Sequence, residues 1–212
     1  MAAEANQGEA FRLLIAAIVA GDVAAALAMI ADSPRLALER ARHQAIGNQS
    51  KQYFFDRIGH YIYEGDSALH MAAAACQTDI VKELVNRQAD VRARNRRGAE
   101  PLHYAVDAGP GLPDWDPGAQ TKTIALLIRS GADPNAVDKS GVAPLHRAIR
   151  NRTAAAVNAL LDGGANPKKP NGRGSTPLFL AMKNTGKSGS GSSAAKAQRQ
   201  MILKILSEPI GQ

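Results

Sequence analysis

The chain has 212 residues, a formal net charge of +7, a single cysteine and only 4% aromatic residues. One cysteine excludes an internal disulfide framework, and so few aromatic residues argue against a globule built on a bulky central core. The excess of Lys and Arg suits an acidic partner, whether protein, nucleic acid or membrane surface.

Phe11–Ala20 and Asp22–Ala31 read as two short helices hinged at Gly21-Asp22. The first is too short to span a membrane and has no basic segment before it. A soluble cytoplasmic protein with no membrane partner is therefore expected. Ser33-Pro34-Arg35-Leu36-Ala37 closes this pair. Glu39–Ile46 reads as a basic helical stretch, followed by Gly47-Asn48-Gln49-Ser50. The aromatic run that comes next, Tyr53-Phe54-Phe55 and Tyr61-Ile62-Tyr63, is expected to pack this inserted segment against the N-terminal helices.

From Gly65 onward the chain repeats itself. Gly65-Asp66-Ser67-Ala68-Leu69-His70-Met71-Ala72 returns as Gly98-Ala99-Glu100-Pro101-Leu102-His103-Tyr104-Ala105. It returns again as Gly141-Val142-Ala143-Pro144-Leu145-His146-Arg147-Ala148 and as Gly174-Ser175-Thr176-Pro177-Leu178-Phe179-Leu180-Ala181. The four leucines lie 33, 43 and 33 residues apart. Pro101, Pro144 and Pro177 sit where a helix starts and its amide would have no partner anyway. Second helical patterns follow at Ile80–Val85, Ile124–Ile128 and Val157–Leu161, with apolar residues at helical spacing. Gly131 and Gly164 permit the left-handed turn that ends a helix. The longer step holds a second insertion, Gly109–Lys122, which carries the only tryptophan, Trp115. A third, Gly186–Ala195, is rich in Gly and Ser and precedes a last helix near Ala197–Leu206 with one wet face.

A 33-residue period around a Pro-Leu-His-x-Ala core resembles the ankyrin repeat, and Gly131-Ala132-Asp133-Pro134-Asn135 resembles the turn of small bacterial members. The likeness runs strongly from Tyr63 to Leu206 and weakly from Phe11 to Ala37. It implies an all-α solenoid of stacked helix-turn-helix units with short β-hairpin fingers, and a binding role without catalysis. Residues 1–62 are expected to form a capping repeat plus insertion. Residues 63–212 would form four repeats including a C-terminal cap, in one continuous solenoid. The chain departs from the pattern at Ser67-Ala68 (for Thr-Pro), at Cys76 (for the inter-helix Gly) and at Phe179 (for the His).

Each candidate for chemistry has a plainer reading. His70, His103 and His146 hold one repeat position, but repeats about 10 Å apart cannot converge on bonds of about 2 Å to one metal, so no metal site is expected. Ala181–Ser188 matches a relaxed phosphate-loop pattern ending in Lys187-Ser188. It follows a helix rather than a strand and runs into a flexible linker, so nucleotide hydrolysis is the remote alternative. No paired carboxylates, Cys/His dyad or serine triad stands out, so neither enzyme activity nor a cofactor is expected. The informative feature is a basic stripe. Arg92, Arg94, Arg96 and Arg97 surround the first finger, Lys139 the next and Arg173 the one after. Tyr104, Asp107, Arg147 and Arg150 lie on helices expected beside them, with Arg152 nearby. Trp115 either anchors a partner or folds back onto its own repeat, and it is kept as a candidate contact. The expected partner is an acidic protein bound by a monomer. Nucleic acid is the alternative, weakened by the lack of aromatics interleaved in the stripe.

Overall fold

The computed structural model describes residues 2–42, 53–112, 114–183 and 192–207. Helices dominate: α1 (Ala2–Ala20), α2 (Val23–Asp32), α3 (Ala68–Ala74), α4 (Thr78–Asn86), α5 (Pro101–Ala105), α6 (Pro117–Arg129), α7 (Pro144–Asn151), α8 (Ala154–Asp162), α9 (Pro177–Met182) and α10 (Ser193–Ser207). Proline opens α5, α6, α7 and α9, as expected where no backbone donor is needed. The helices pack in chain-order pairs, α1 with α2 through α9 with α10. First helices of successive pairs touch one another, and so do second helices. The result is a two-row stack in which each pair buries its apolar stripe against its neighbours.

The repeated leucines record that stacking. Leu69, Leu102 and Leu145 are essentially fully buried, whereas Leu178 in the last pair is 38% exposed. The abundant alanine has a clear use. Ala72, Ala73, Ala105 and Ala148 are buried where first helices meet, and short side chains let the backbones approach.

The histidines fasten one pair to the next. Nδ1 of His103 accepts from the Glu100 amide at 3.1 Å and Nδ1 of His146 from the Ala143 amide at 3.0 Å. Nδ1 of His70 accepts from the Ser67 amide at 3.1 Å. That leaves the proton on Nε2, which donates forward to Ala99 O, Val142 O and Lys169 O respectively, at 3.2, 3.1 and 2.9 Å. Ser67 in place of Thr therefore keeps the same capping geometry. Phe179 is half-exposed, and its amide donates to Thr176 Oγ1 at 3.3 Å, which closes the start of α9.

The fingers are tight turns, each closed by one backbone pair: Asn95 to Ala99, Asp138 to Val142 and Asn171 to Ser175. In each, the first side chain accepts from amides two and four residues on. Successive fingers bond through their tips, Arg96 N to Glu64 O, Lys139 N to Arg97 O and Gly172 N to Gly141 O. Gly141 shows why these tips need glycine. Its φ is +69°, and a Cβ there would lie 2.6 Å from the Gly172 backbone.

The first insertion differs from expectation. Glu39–Arg42 is not helical. Arg40 pairs with Ser67, Ala41 N donates to Asp66 O and Gly65 N to Ala41 O, so this segment continues the finger stack backwards instead. The rest of that predicted helix lies outside the described residues. The aromatic run forms a short hairpin, β1 (Phe54–Phe55) and β2 (His60–Tyr61). At the other end α10 starts at Ser193, earlier than predicted. Arg199 on this helix donates to Ala181 O and Met182 O at 2.9 and 2.7 Å, covering the end of α9.

Candidate partner-binding groove

The β1–β2 hairpin, the fingers and the first helices α5, α7 and α9 enclose a groove of about 810 Å³. Two insertions build its N-terminal wall together. Arg57, in the hairpin turn, donates to Asp114 of the second insertion at 2.8 Å and also to Ala20 O at the end of α1. A Cβ on Gly59 would meet Leu112 at 2.9 Å. The hairpin thus does reach the N-terminal helices, through Arg57 and the buried Ile58, while His60, Tyr61 and Tyr63 face the groove.

At the centre lies a paired charge cluster. Arg147 donates to Asp107 at 2.8 Å and to Asp138 at 2.9 Å. His60 Nε2 lies 3.0 Å from Asp107 and its Nδ1 2.7 Å from Tyr61 O. Burial pushes the Asp107 carboxyl up, but the Arg147 guanidinium and the His60 hydrogen bond outweigh it and hold the group well below the usual carboxylate range. Asp138 is also lowered: burial opposes, and the Arg147 hydrogen bond prevails. Arg147 itself is raised despite its burial, through Asp107 and Asp138. Behind the cluster, Tyr104 OH lies 2.8 Å from both oxygens of the fully buried Asp66, and Asn95 donates to the same carboxylate at 2.8 Å. Burial first, then Asp66, raises the Tyr104 hydroxyl well above its ordinary value, so it acts as a donor and a wall.

The remaining groove cations are differently placed. Arg97 donates to Tyr63 OH at 2.9 Å and lies 4.8 Å from the Tyr63 ring centre. Lys183 sits 4.5 Å from the Phe179 ring. Among the described residues the side chains of Arg150, Arg173 and Lys183 have no acidic partner. With both groove acids taken by Arg147, the C-terminal half presents unneutralised positive charge.

Arg97, Tyr104, Asp107, Arg147, Arg150 and Arg173 are thus brought together around one groove. The other predicted contacts are not. Arg92 donates to Gly131 O at 2.7 Å, and Arg94 to Glu100 at 3.1 Å and Val137 O at 2.9 Å, so both brace the next repeat instead of lining the groove. Arg96 and Lys139 occupy exposed finger tips away from the groove wall. Arg152 is buried at the α7–α8 turn with φ +57°. Trp115 folds back: it is half-buried beside Arg57 and Cys76, and its indole N–H donates to Gln120 at 3.1 Å. Gln120 is fully buried and donates to Ala105 O and Ala108 O, both at 3.0 Å. His60, Tyr63, Asp138 and Lys183 were missed. Asp138 was readable as the first residue of a finger turn, but His60 lies in an insertion where the period carries no information.

A family model described as Ankyrin repeats (3 copies) matches residues 1–112 and 118–207. The chain belongs to the ankyrin-repeat family. The break between the matched stretches falls in the Trp115 insertion, where this ankyrin-repeat protein departs from the period. Ankyrin repeats are generally protein–protein interaction modules and typically non-enzymatic scaffolds. No curated protein matches the chain. No helix among the described residues is long and apolar enough to cross a membrane, and those residues include no cluster of three metal-ligating side chains. Each repeat histidine spends both nitrogens on the scaffold. Cys76 is similarly inert, since burial, with Asp116 adding to it, pushes its thiol up to about 12. The phosphate-loop match beyond Lys183 lies outside the described residues.

Proposed function

We propose that this ankyrin-repeat protein is a soluble, cytoplasmic, monomeric scaffold that holds an acidic segment of a partner protein in the groove. The observation that carries the reading is the uneven neutralisation of charge. Asp107 and Asp138 are consumed by Arg147, leaving Arg150 and Arg173 to meet carboxylates from outside, and arginine can do so through two parallel hydrogen bonds. Arg147 belongs to the scaffold in this reading, and the finger-tip cations steer the approach of the partner.

The test is affinity capture with mass spectrometry, comparing the natural chain with an Arg150→Glu/Arg173→Glu double variant. Both positions are exposed, so the fold survives, as a matching thermal melt would verify. Recovery of the partner is expected to fall at least about tenfold. Equal recovery overturns the reading. So does a captured species lost on nuclease treatment, which would point to nucleic acid.

A further inference from the structure

The groove has two chemically different ends. At the hairpin end the rings of Phe54 and Tyr61 lie 4.6 Å apart and those of Tyr61 and Tyr63 6.1 Å apart. Three of the chain's four tyrosines, Tyr61, Tyr63 and Tyr104, line this one groove. Phe54, Tyr61 and Tyr63 are only half-buried, so part of this aromatic ledge stays open. Arg57 and Gly59 tie the hairpin to the second insertion, and His60 ties it to Asp107 and to the Tyr104 ring on α5, 4.1 Å away. At the far end stand Arg150, Arg173 and Lys183. Between the two ends Arg147 is closed off by its own acids.

Building on the acidic-segment reading above, we infer that the ligand is two-ended: an aromatic or large apolar anchor seats on the Tyr61–Tyr63 ledge, and carboxylates meet Arg150 and Arg173. The ends also set a spacing. The ledge borders the Arg97 finger; Arg150 lies one repeat step on and the Arg173 finger two. At about 8–10 Å per packed helix Arg150 lies about 10 Å from the ledge and Arg173 about 20 Å, and an extended chain covers the longer gap in about six residues. A flat ring fits the ledge because aromatic pairs favour offset or edge contacts, and the midsection, where one guanidinium meets two carboxylates, asks only for small residues that carry no negative charge.

The experiment uses the full chain and fluorescein-labelled peptides read by anisotropy. The probes are Trp-Gly-Ser-Gly-Ser-Gly-Asp-Glu-Asp-Glu and the same sequence in reverse order. Controls replace Trp by Ala or shorten the spacer to one residue. The tighter-binding order is expected to exceed both of its controls by about tenfold, and the Arg150→Glu/Arg173→Glu variant to lose all of them. Equal binding of the Trp and Ala peptides, with binding still lost in the charge variant, overturns the two-ended ligand and leaves the acidic groove standing. Failure of every acidic peptide to bind the natural chain overturns both.

Discussion

Gln88, Cys76 and Arg152 adopt left-handed backbone, with φ of +66°, +53° and +57°, at places where equivalent turns carry Gly131, Gly164 and Gly21. An L-residue there costs about 1–2 kcal/mol, which glycine's greater freedom when unfolded partly offsets. Gln88 is exposed, so Gln88→Gly is expected to raise stability by up to about 1 kcal/mol, or about 2–4 °C in Tm. A lowered Tm would contradict this. The buried histidines set the acid response. Burial lowers His70 and His146, and lowers His103 to about 4 with Arg147 adding to the effect. From about pH 6.5 down to 4 the unfolded chain takes up protons that the folded chain refuses. Stability is therefore complete above about pH 6.5 and drains as pH falls, with His103 alone contributing on the order of 3 kcal/mol. Asp107 and Asp138, whose folded values are depressed, act in the same sense at lower pH; Glu100, raised by burial, opposes them weakly. A urea midpoint that stays flat between pH 7 and 4.5 would refute the assignment of neutral, forward-donating histidines.

At the level of elements, two arginines on α7 separate scaffold from surface. Arg147→Ala leaves Asp107 and Asp138 facing each other without their cation and is expected to cost about 3 kcal/mol. Arg150→Ala, three residues on and exposed, is expected to change stability by less than about 0.5 kcal/mol. Equal effects in urea denaturation would mean the central cluster is not built as described. The second insertion offers a separate check. Trp115 is the only tryptophan and lies in its own recess beside Cys76, so its emission is expected to stay unchanged when a ligand fills the groove. A clear shift would put the Trp115 loop back into the interface.

Across the whole molecule, what the sequence made legible was what the period controls. Leucine, proline and histidine recur because every repeat meets the same neighbours, so helix order, stacking and the capping role of His70, His103 and His146 could all be read. The fingers followed from the resemblance, but Arg92 and Arg94 brace the next repeat and do not line the groove. Arginine side chains are long enough to reach the next repeat's carbonyls, and a one-dimensional charge stripe does not reveal that. The hairpin wall was illegible, because its position depends on contacts between insertions 57 residues apart, Arg57 with Asp114. Pairing of Arg147 with Asp107 across 40 residues was likewise invisible. If the groove is the interaction face, a bound partner slows amide exchange along it. The most direct measurement is amide hydrogen exchange of the full chain with and without its captured partner. Added protection is expected in residues 54–63, 95–107, 138–151 and 171–183. Protection confined to α4, α6, α8 and the Trp115 loop would contradict it.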